Sequence, residues 1–281
     1  MRLGIFAKTF EGSDPGRVLA AAARAGFSAV QYNMACSGLP SMPDAIPSGV
    51  TLAIQSAAQA ANIEIAALSG TYNMIHPDPA IRKLGHARFE VLAAAAPLLP
   101  TRLITLCTGT RDPEDQWKAH PANRAPEAWA DLLASMETLV AVANRHDIDL
   151  GIEPELANVI NSAEKARRLI DEIGSRRLKI VLDPANLFES AGIDDQRRIV
   201  SNAIDLLAGH IVMVHAKDRR EDGGFTTAGK GVLDYPHFLS HLKSVGFDGP
   251  IVAHGLAASE AAGVARYLRR TLSEAGIKVT P

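Results

Sequence analysis

Cysteine is almost missing from this chain. Only Cys36 and Cys107 occur, and neither sits in a C-x-x-C pair. Two thiols cannot build a disulfide framework of any density, which excludes a small cross-linked secreted scaffold. A reduced, cytoplasmic setting is expected. An excess of charge is missing too: the net charge is −2. A nucleic-acid partner calls for a basic surplus or a basic stripe. The pairs Arg167-Arg168, Arg176-Arg177 and Arg197-Arg198 fall in helical or helix-end contexts and read as solvated faces, so no nucleic-acid partner is expected. No apolar run reaches the ~18 residues of a transmembrane helix, so no membrane partner is expected. The opening MRLGIFAKTFEG has no long apolar signal core followed by a cleavage site, which fits the cytoplasmic expectation. Finally, the segment after the first strand candidate reads AKTFEGSDPG. That is not the G-x-G-x-x-G loop of an open dinucleotide-binding sheet.

What is present is one pattern repeated eight times: a short apolar run, polar residues, then an amphipathic helix. The strand candidates are Leu3–Ala7, Ala29–Asn33, Ile63–Leu68, Leu103–Leu106, Asp149–Glu153, Lys179–Asp183, Ile211–His215 and Ile251–His254. Their short, near-continuous apolar character suits parallel strands buried on both faces. Asp14-Pro15 opens the first helix and Gly26 stops it. Over Pro126–His146 the residues Trp129, Leu132, Leu133, Met136, Leu139, Val140 and Ala143 form one apolar face at helical period. Ser162 caps the helix after the fifth strand and Gly174 ends it. Eight parallel strand–helix units leave a closed barrel or an open doubly wound sheet. The missing phosphate loop and a 47% hydrophobic chain of 281 residues favour a single (β/α)8 TIM-barrel domain over residues 1–281. The long irregular stretches Met34–Gly49, Thr108–Ala125 and Asp218–Asp234 all follow strands and would overhang one face, the C-terminal face of the barrel.

The chemistry gathers where the last four apolar runs stop. GIEPE, VLDPAN, VMVHAKD and IVAHG present Glu153, Asp183, His215 and His254, separated by 30, 32 and 39 residues. Each spacing is about one strand–helix unit, so the four groups would converge at the barrel rim. Singly, each has an ordinary reading: Asp before Pro caps turns, and a lone His at a strand end is usually just hydrogen-bonded. Together, two carboxylates and two imidazoles make a site for one divalent ion. Mn²⁺ is favoured, Zn²⁺, Co²⁺ and Fe²⁺ are alternatives, and Mg²⁺ or Ca²⁺ suit it less. His210 precedes the seventh strand and reads as structural.

The run GIEPE…VLDPAN…VHAKD…AHG resembles the sugar phosphate isomerase/epimerase group of xylose-isomerase-like TIM barrels, over essentially the whole chain. LSGTYNMIHPD and CTGTRDPEDQWKAHP resemble one subgroup of it. The resemblance implies one metal held by an acid on the fifth strand, an Asp on the sixth, a His on the seventh and usually a Glu on the eighth. Glu153, Asp183 and His215 match the first three. The sequence departs at His254, which stands where the ketose epimerases place their second glutamate base, and at Asn186, where many relatives have His. Related endonuclease IV barrels need a multi-metal cluster and a basic DNA-facing surface, which this chain lacks.

The expected activity is therefore a metal-dependent isomerase or epimerase acting on a small sugar or sugar derivative through an enediolate. Glu153 or the adjacent Glu155 would take the proton, and His254 or a metal-bound water would return it. His76, Arg111, Trp117, His120, Asn186 and Lys217 are the candidate substrate-binding residues. Gln31 and Asn33 read equally as pocket or turn residues, and Arg219, Arg220 and Lys230 equally as cations for a substrate carboxylate or phosphate or as solvated charges. A metal-dependent lyase or hydrolase of an oxidised sugar would use the same groups, and a non-catalytic sugar-binding barrel would retain them. A homo-oligomer is left open.

Overall fold

The computed structural model describes residues 1–280. Eight parallel strands close into a barrel: β1 (Arg2–Phe6), β2 (Ala29–Tyr32), β3 (Glu64–Ser69), β4 (Leu103–Cys107), β5 (Asp149–Glu153), β6 (Leu178–Leu182), β7 (Ile211–Ala216) and β8 (Pro250–Ala253). Closure is made by β1, which pairs with β8 through Leu3 and Ile251 and with β2 through Gly4 and Ala29. The expected adjacency of first and last strands is therefore met. Strand ends shift by a residue or so from the sequence reading. β6 and β8 each stop one residue earlier, leaving Asp183 and His254 just past the strands.

Eight helices follow the strands: α1 (Pro15–Arg24), α2 (Ser48–Ala61), α3 (Pro79–Ala95), α4 (Pro126–His146), α5 (Ala163–Ile173), α6 (Ile193–Leu207), α7 (Tyr235–Ser244) and α8 (Ala261–Glu274). The capping chemistry is local and as expected. Asp14 accepts from the Arg17 amide, Ser162 accepts from the Lys165 amide, and Gly174 closes α5 at φ +60°. On α4 the buried face runs through Leu132, Met136, Leu139 and Ala143. Trp129 lies at its margin, where its indole N–H donates to Glu172 and Arg168 covers its ring.

Side-chain alternation explains how the barrel aims its functional groups. Outward residues such as Ile180, Leu182, Val214 and Ile251 join the large core shared with the helices. Ala67, Leu103, Val181, Met213 and Val252 form a separate cluster, the barrel interior. Residues two apart on a strand share a face. Val181 is thus followed inward by Asp183, Met213 by His215, Gly151 by Glu153 and Val252 by His254. Gly151 is small of necessity, because a Cβ there would come within 2.9 Å of Leu103 and Val181 side chains. The interior is packed apolar below and turns polar at its C-terminal mouth.

The loops after the strands build that mouth. The segment after β7 folds into a two-stranded antiparallel hairpin, Asp218–Arg219 against Phe225–Thr226. Asp218 is wholly buried and organises the turn by accepting backbone N–H bonds from Arg219, Gly229, Gly231 and Leu233. No helix among the described residues is long and apolar enough to cross a membrane.

Candidate metal centre

Glu153, Asp183 and His215 each direct one ligand-capable atom into a common space, with those atoms all within 4.8 Å of one another. Asp183 reconciles its two readings. Its Oδ1 accepts from the Ala185 amide at 2.9 Å and starts the short 3-10 turn Pro184–Asn186. Its Oδ2 is buried without a hydrogen bond, facing only the Lys217 ammonium at 3.1 Å. One oxygen caps, and the other, ion-paired to Lys217, faces the common space as a ligand candidate.

His215 is oriented from behind. Its Nε2 lies 2.8 Å from Gln31 Oε1, and Gln31 Nε2 donates to Thr105 Oγ1 at 3.0 Å. The Thr105 hydroxyl in turn donates to the Leu68 carbonyl. Because the Gln31 amide presents its oxygen, Nε2 carries the proton and Nδ1 is the nitrogen aimed at Glu153, 3.2 Å from Oε1. A ring fixed by a hydrogen bond on its far nitrogen is the usual preparation of a ligating histidine.

The remaining groups form a connected polar floor. Asn186 donates to Glu153 Oε1 at 2.8 Å and accepts from Lys217 Nζ at 2.9 Å. Burial favours a neutral Glu153, but His215, with Lys217, outweighs it and holds the carboxyl well below its ordinary range. Burial likewise opposes a charge on His215, and Glu153 more than offsets this, so its pKa rises. Burial works against the Lys217 charge as well, and Asp183, Glu153 and Glu155 keep it protonated. For Glu155 the nearby Lys217 and Arg219 charges do not outweigh burial. Burial, reinforced by the Glu153 charge, pushes its carboxyl up to about 7. A buried carboxylate oxygen, a pre-oriented imidazole and a second carboxylate form an O,O,N donor set that suits a divalent transition ion.

His254 stands beside this group, outside the set of converging donors. It follows the end of β8, and its ring is stacked between Phe6 and His215, with centroids 5.1 Å away on each side. Burial and the neighbouring His215 hold it neutral, with a pKa lowered to about 4. Its Nδ1 is buried and without a partner. A cleft of about 620 Å³ opens beside it, walled by Phe6, Lys8, Phe225, Leu256 and Glu260.

Of the other sequence candidates, Asn186 and Lys217 join the centre, and four do not. Arg111 donates to Asp131 Oδ2 at 2.6 Å and to the Ile75 carbonyl, locking two loops to α4. His76 uses both ring nitrogens, one with the Pro113 carbonyl and one accepting from the Asp78 amide. Trp117 is 52% exposed and lines a separate cleft with His76 and Asp112. His120 caps a short 3-10 turn by accepting from the Ala122 amide. Arg111, His76 and His120 have partners elsewhere in the fold that the sequence alone did not reveal, and Trp117 lies on a separate exposed cleft. Conversely, Gln31 carries more than its position announced. The available signal was a buried amide inside the apolar strand AVQY. Phe225, whose ring lies 3.9 Å from both the Lys217 ammonium and the Arg219 guanidinium, had no signal.

Fold and site define a parallel (β/α)8 barrel with a two-carboxylate, one-imidazole group at its C-terminal mouth. The chain belongs to the xylose isomerase-like TIM barrel family, whose model matches residues 19–274. No curated protein matches it. Among solved structures it is similar to a D-tagatose 3-epimerase-like protein, with a TM-score of 0.77, 17% identity, and 98% of each chain covered. It is also similar to 3-keto-D-glucoside 4-epimerase from E. coli, with a TM-score of 0.75, 16% identity, and 98% of this chain and 99% of that one covered. A D-psicose 3-epimerase from Clostridium cellulolyticum follows at 0.71 and 18% identity, with 98% of each covered. At these identities the likeness is one of fold.

Proposed function

We propose that the chain is a divalent-metal-dependent isomerase or epimerase of a small sugar or sugar derivative, acting as one domain in the cytoplasm. The observation that carries the reading is the convergence of Glu153, Asp183 and His215 on one point of the C-terminal mouth. The similar structures, two sugar epimerases and an epimerase-like protein, support it.

Glu153, Asp183 and His215 would hold the ion, Mn²⁺ by preference, with Zn²⁺, Co²⁺ or Fe²⁺ as alternatives. Once bound, the ion supplies Lewis-acid polarisation of a substrate carbonyl. The residues around it handle the proton next to that carbonyl. Glu155, with its carboxyl near 7, can take up and release a proton at neutral pH. Glu153 is fully ionised and held by Asn186 and His215, which suits a ligand first and a base second. His254 rests as a neutral imidazole, so it can accept a proton or donate a hydrogen bond but does not start as an acid. Lys217 brings a cation to the floor, where a substrate hydroxyl or developing oxyanion would gain a donor.

The test is incubation with ketoses, sugar phosphates and oxidised sugars in D2O. Metal-dependent deuterium incorporation next to the carbonyl is expected, with most of it lost in Glu153→Gln. Bond cleavage without exchange would instead establish the lyase or hydrolase reading. Neither with any compound, despite metal bound, would leave a sugar-binding barrel.

A further inference from the structure

A second polar cleft lies on the same face, between the β4–α4 and β5–α5 loops. It encloses about 410 Å³, and its polar lining is His120, Asn123, Arg124, Asn158, Asn161 and Lys165. No lining residue is acidic. Among the described residues no carboxylate oxygen lies within 4.0 Å of the Arg124 or Lys165 nitrogens. Lys165 reaches only the Val159 carbonyl, at 3.1 Å, which leaves two of its three N–H groups. Burial, with Arg124 and Arg168 nearby, lowers its pKa, as befits a cation without a counter-charge.

An independent observation sits in the same wall. Asn158 is 1% exposed. Its Oδ1 accepts from the Gly109 amide at 2.7 Å, which fixes the side chain, and its Nδ2 is buried with no hydrogen-bond partner. An unsatisfied buried amide costs about 1–3 kcal/mol, so an acceptor entering the cleft that Asn158 shares with Arg124 and Lys165 would relieve it. Asn123 does not compete, since its amide donates to the Ala157 carbonyl. His120 is engaged through Nδ1 alone, leaving Nε2 as a further donor in one tautomer. Asn161 also lies beside the positive N-terminal end of α5.

From these residues we infer that this cleft is an anion site for a phosphate group, with Arg124, Lys165 and Asn158 as its donors. A phosphate offers three acceptor oxygens and close to two negative charges. That matches a guanidinium fork, an ammonium and an amide better than a single planar carboxylate does. The group is either carried by the substrate or free in solution. Only its assignment to the substrate rests on the isomerase reading.

Inorganic phosphate is titrated against the protein as purified, at about pH 8 and low ionic strength, with thermal stabilisation as the readout. Saturable stabilisation is expected, weakened about tenfold or more in Arg124→Gln/Lys165→Met. The exposed single variant Arg124→Gln, least able to disturb folding, should show a smaller loss in the same direction. No saturable effect, or equal binding in wild type and the double variant, overturns the site. The source is then separated by deuterium exchange on phosphorylated and unphosphorylated ketoses. Loss of kcat/KM for the phosphorylated sugar alone in the double variant makes the phosphate part of the substrate. Phosphate binding with both sugars unaffected makes it a free ligand of the same site. Phosphate binding with no exchange on any sugar retains the site and removes the catalytic reading.

Discussion

Gln31→Leu isolates the part of the candidate metal centre that lies furthest from it in sequence. The substitution keeps the side-chain volume roughly constant and removes the acceptor of His215 Nε2–H. At 4% exposure no water replaces it, so the imidazole is left with a buried unsatisfied donor, worth about 1–3 kcal/mol. The ring can recover by turning or by moving its proton to Nδ1, and either change removes the ligand lone pair from the point shared with Glu153 and Asp183. Loss of such an orienting partner typically weakens metal binding about 10–100-fold, or roughly 1.4–2.7 kcal/mol, which agrees with the desolvation figure reached independently. Competition with a calibrated chelator should show that loss for Mn²⁺ or Zn²⁺. Gln31→Glu, which keeps an oxygen opposite Nε2, should retain most of the affinity. Unchanged affinity in Gln31→Leu would mean that His215 is not oriented through Gln31, or is not a ligand, and the tautomer argument would fall.

The metal-free protein should show a bell-shaped contribution from the His215–Glu153 pair. The folded His215 pKa is raised above 6.5, so its stabilisation is complete below 6.5 and fades as pH rises through the folded value; that of Glu153 is lowered from 4.5, so its stabilisation holds above 4.5 and fades as pH falls. The Tm difference between wild type and His215→Gln without metal should therefore peak between 4.5 and 6.5; a flat difference across that range and up to about pH 9 would contradict the pairing. Arg111→Met should lose roughly 2 kcal/mol, several degrees in Tm, through its bonds to Asp131 and Ile75, with metal content unchanged. A raised KM at unaltered Tm would return Arg111 to the substrate.

What could be read from the chain alone divides along a physical line. A strand that must pack inside the barrel leaves an apolar run, and the run ends where its side chains meet solvent or a ligand. Glu153, Asp183 and His215 were visible because each sits two residues beyond an interior position, so local alternation alone carries it to the mouth. The same logic made α4 and the caps at Asp14 and Ser162 readable, since their causes lie within a turn of the residue. Arg111 and His76 have equally polar, loop-borne sequences, yet their partners are Asp131, Ile75 and Pro113, and nothing in the local pattern distinguishes a cation awaiting substrate from one already paired.

His254 marks the boundary between these cases. Its place at the end of the eighth strand held to within one residue, and alternation does bring it inward after Val252. A ligand, however, needs direction as well as place. The direction of this ring is set by Phe6, from the opposite end of the chain, and by stacking on His215 itself. Two adjacent imidazoles in a buried space cannot both be charged at modest cost. Glu153 raises the pKa of His215, while His254 is left neutral with its Nδ1 unpartnered. A histidine where the family resemblance implies a glutamate therefore changes the charge of the mouth by one unit at the same strand end. A substrate there meets one fixed carboxylate fewer and one uncharged donor–acceptor more, and that difference is where this chain would depart from a two-glutamate epimerase in the proton it returns.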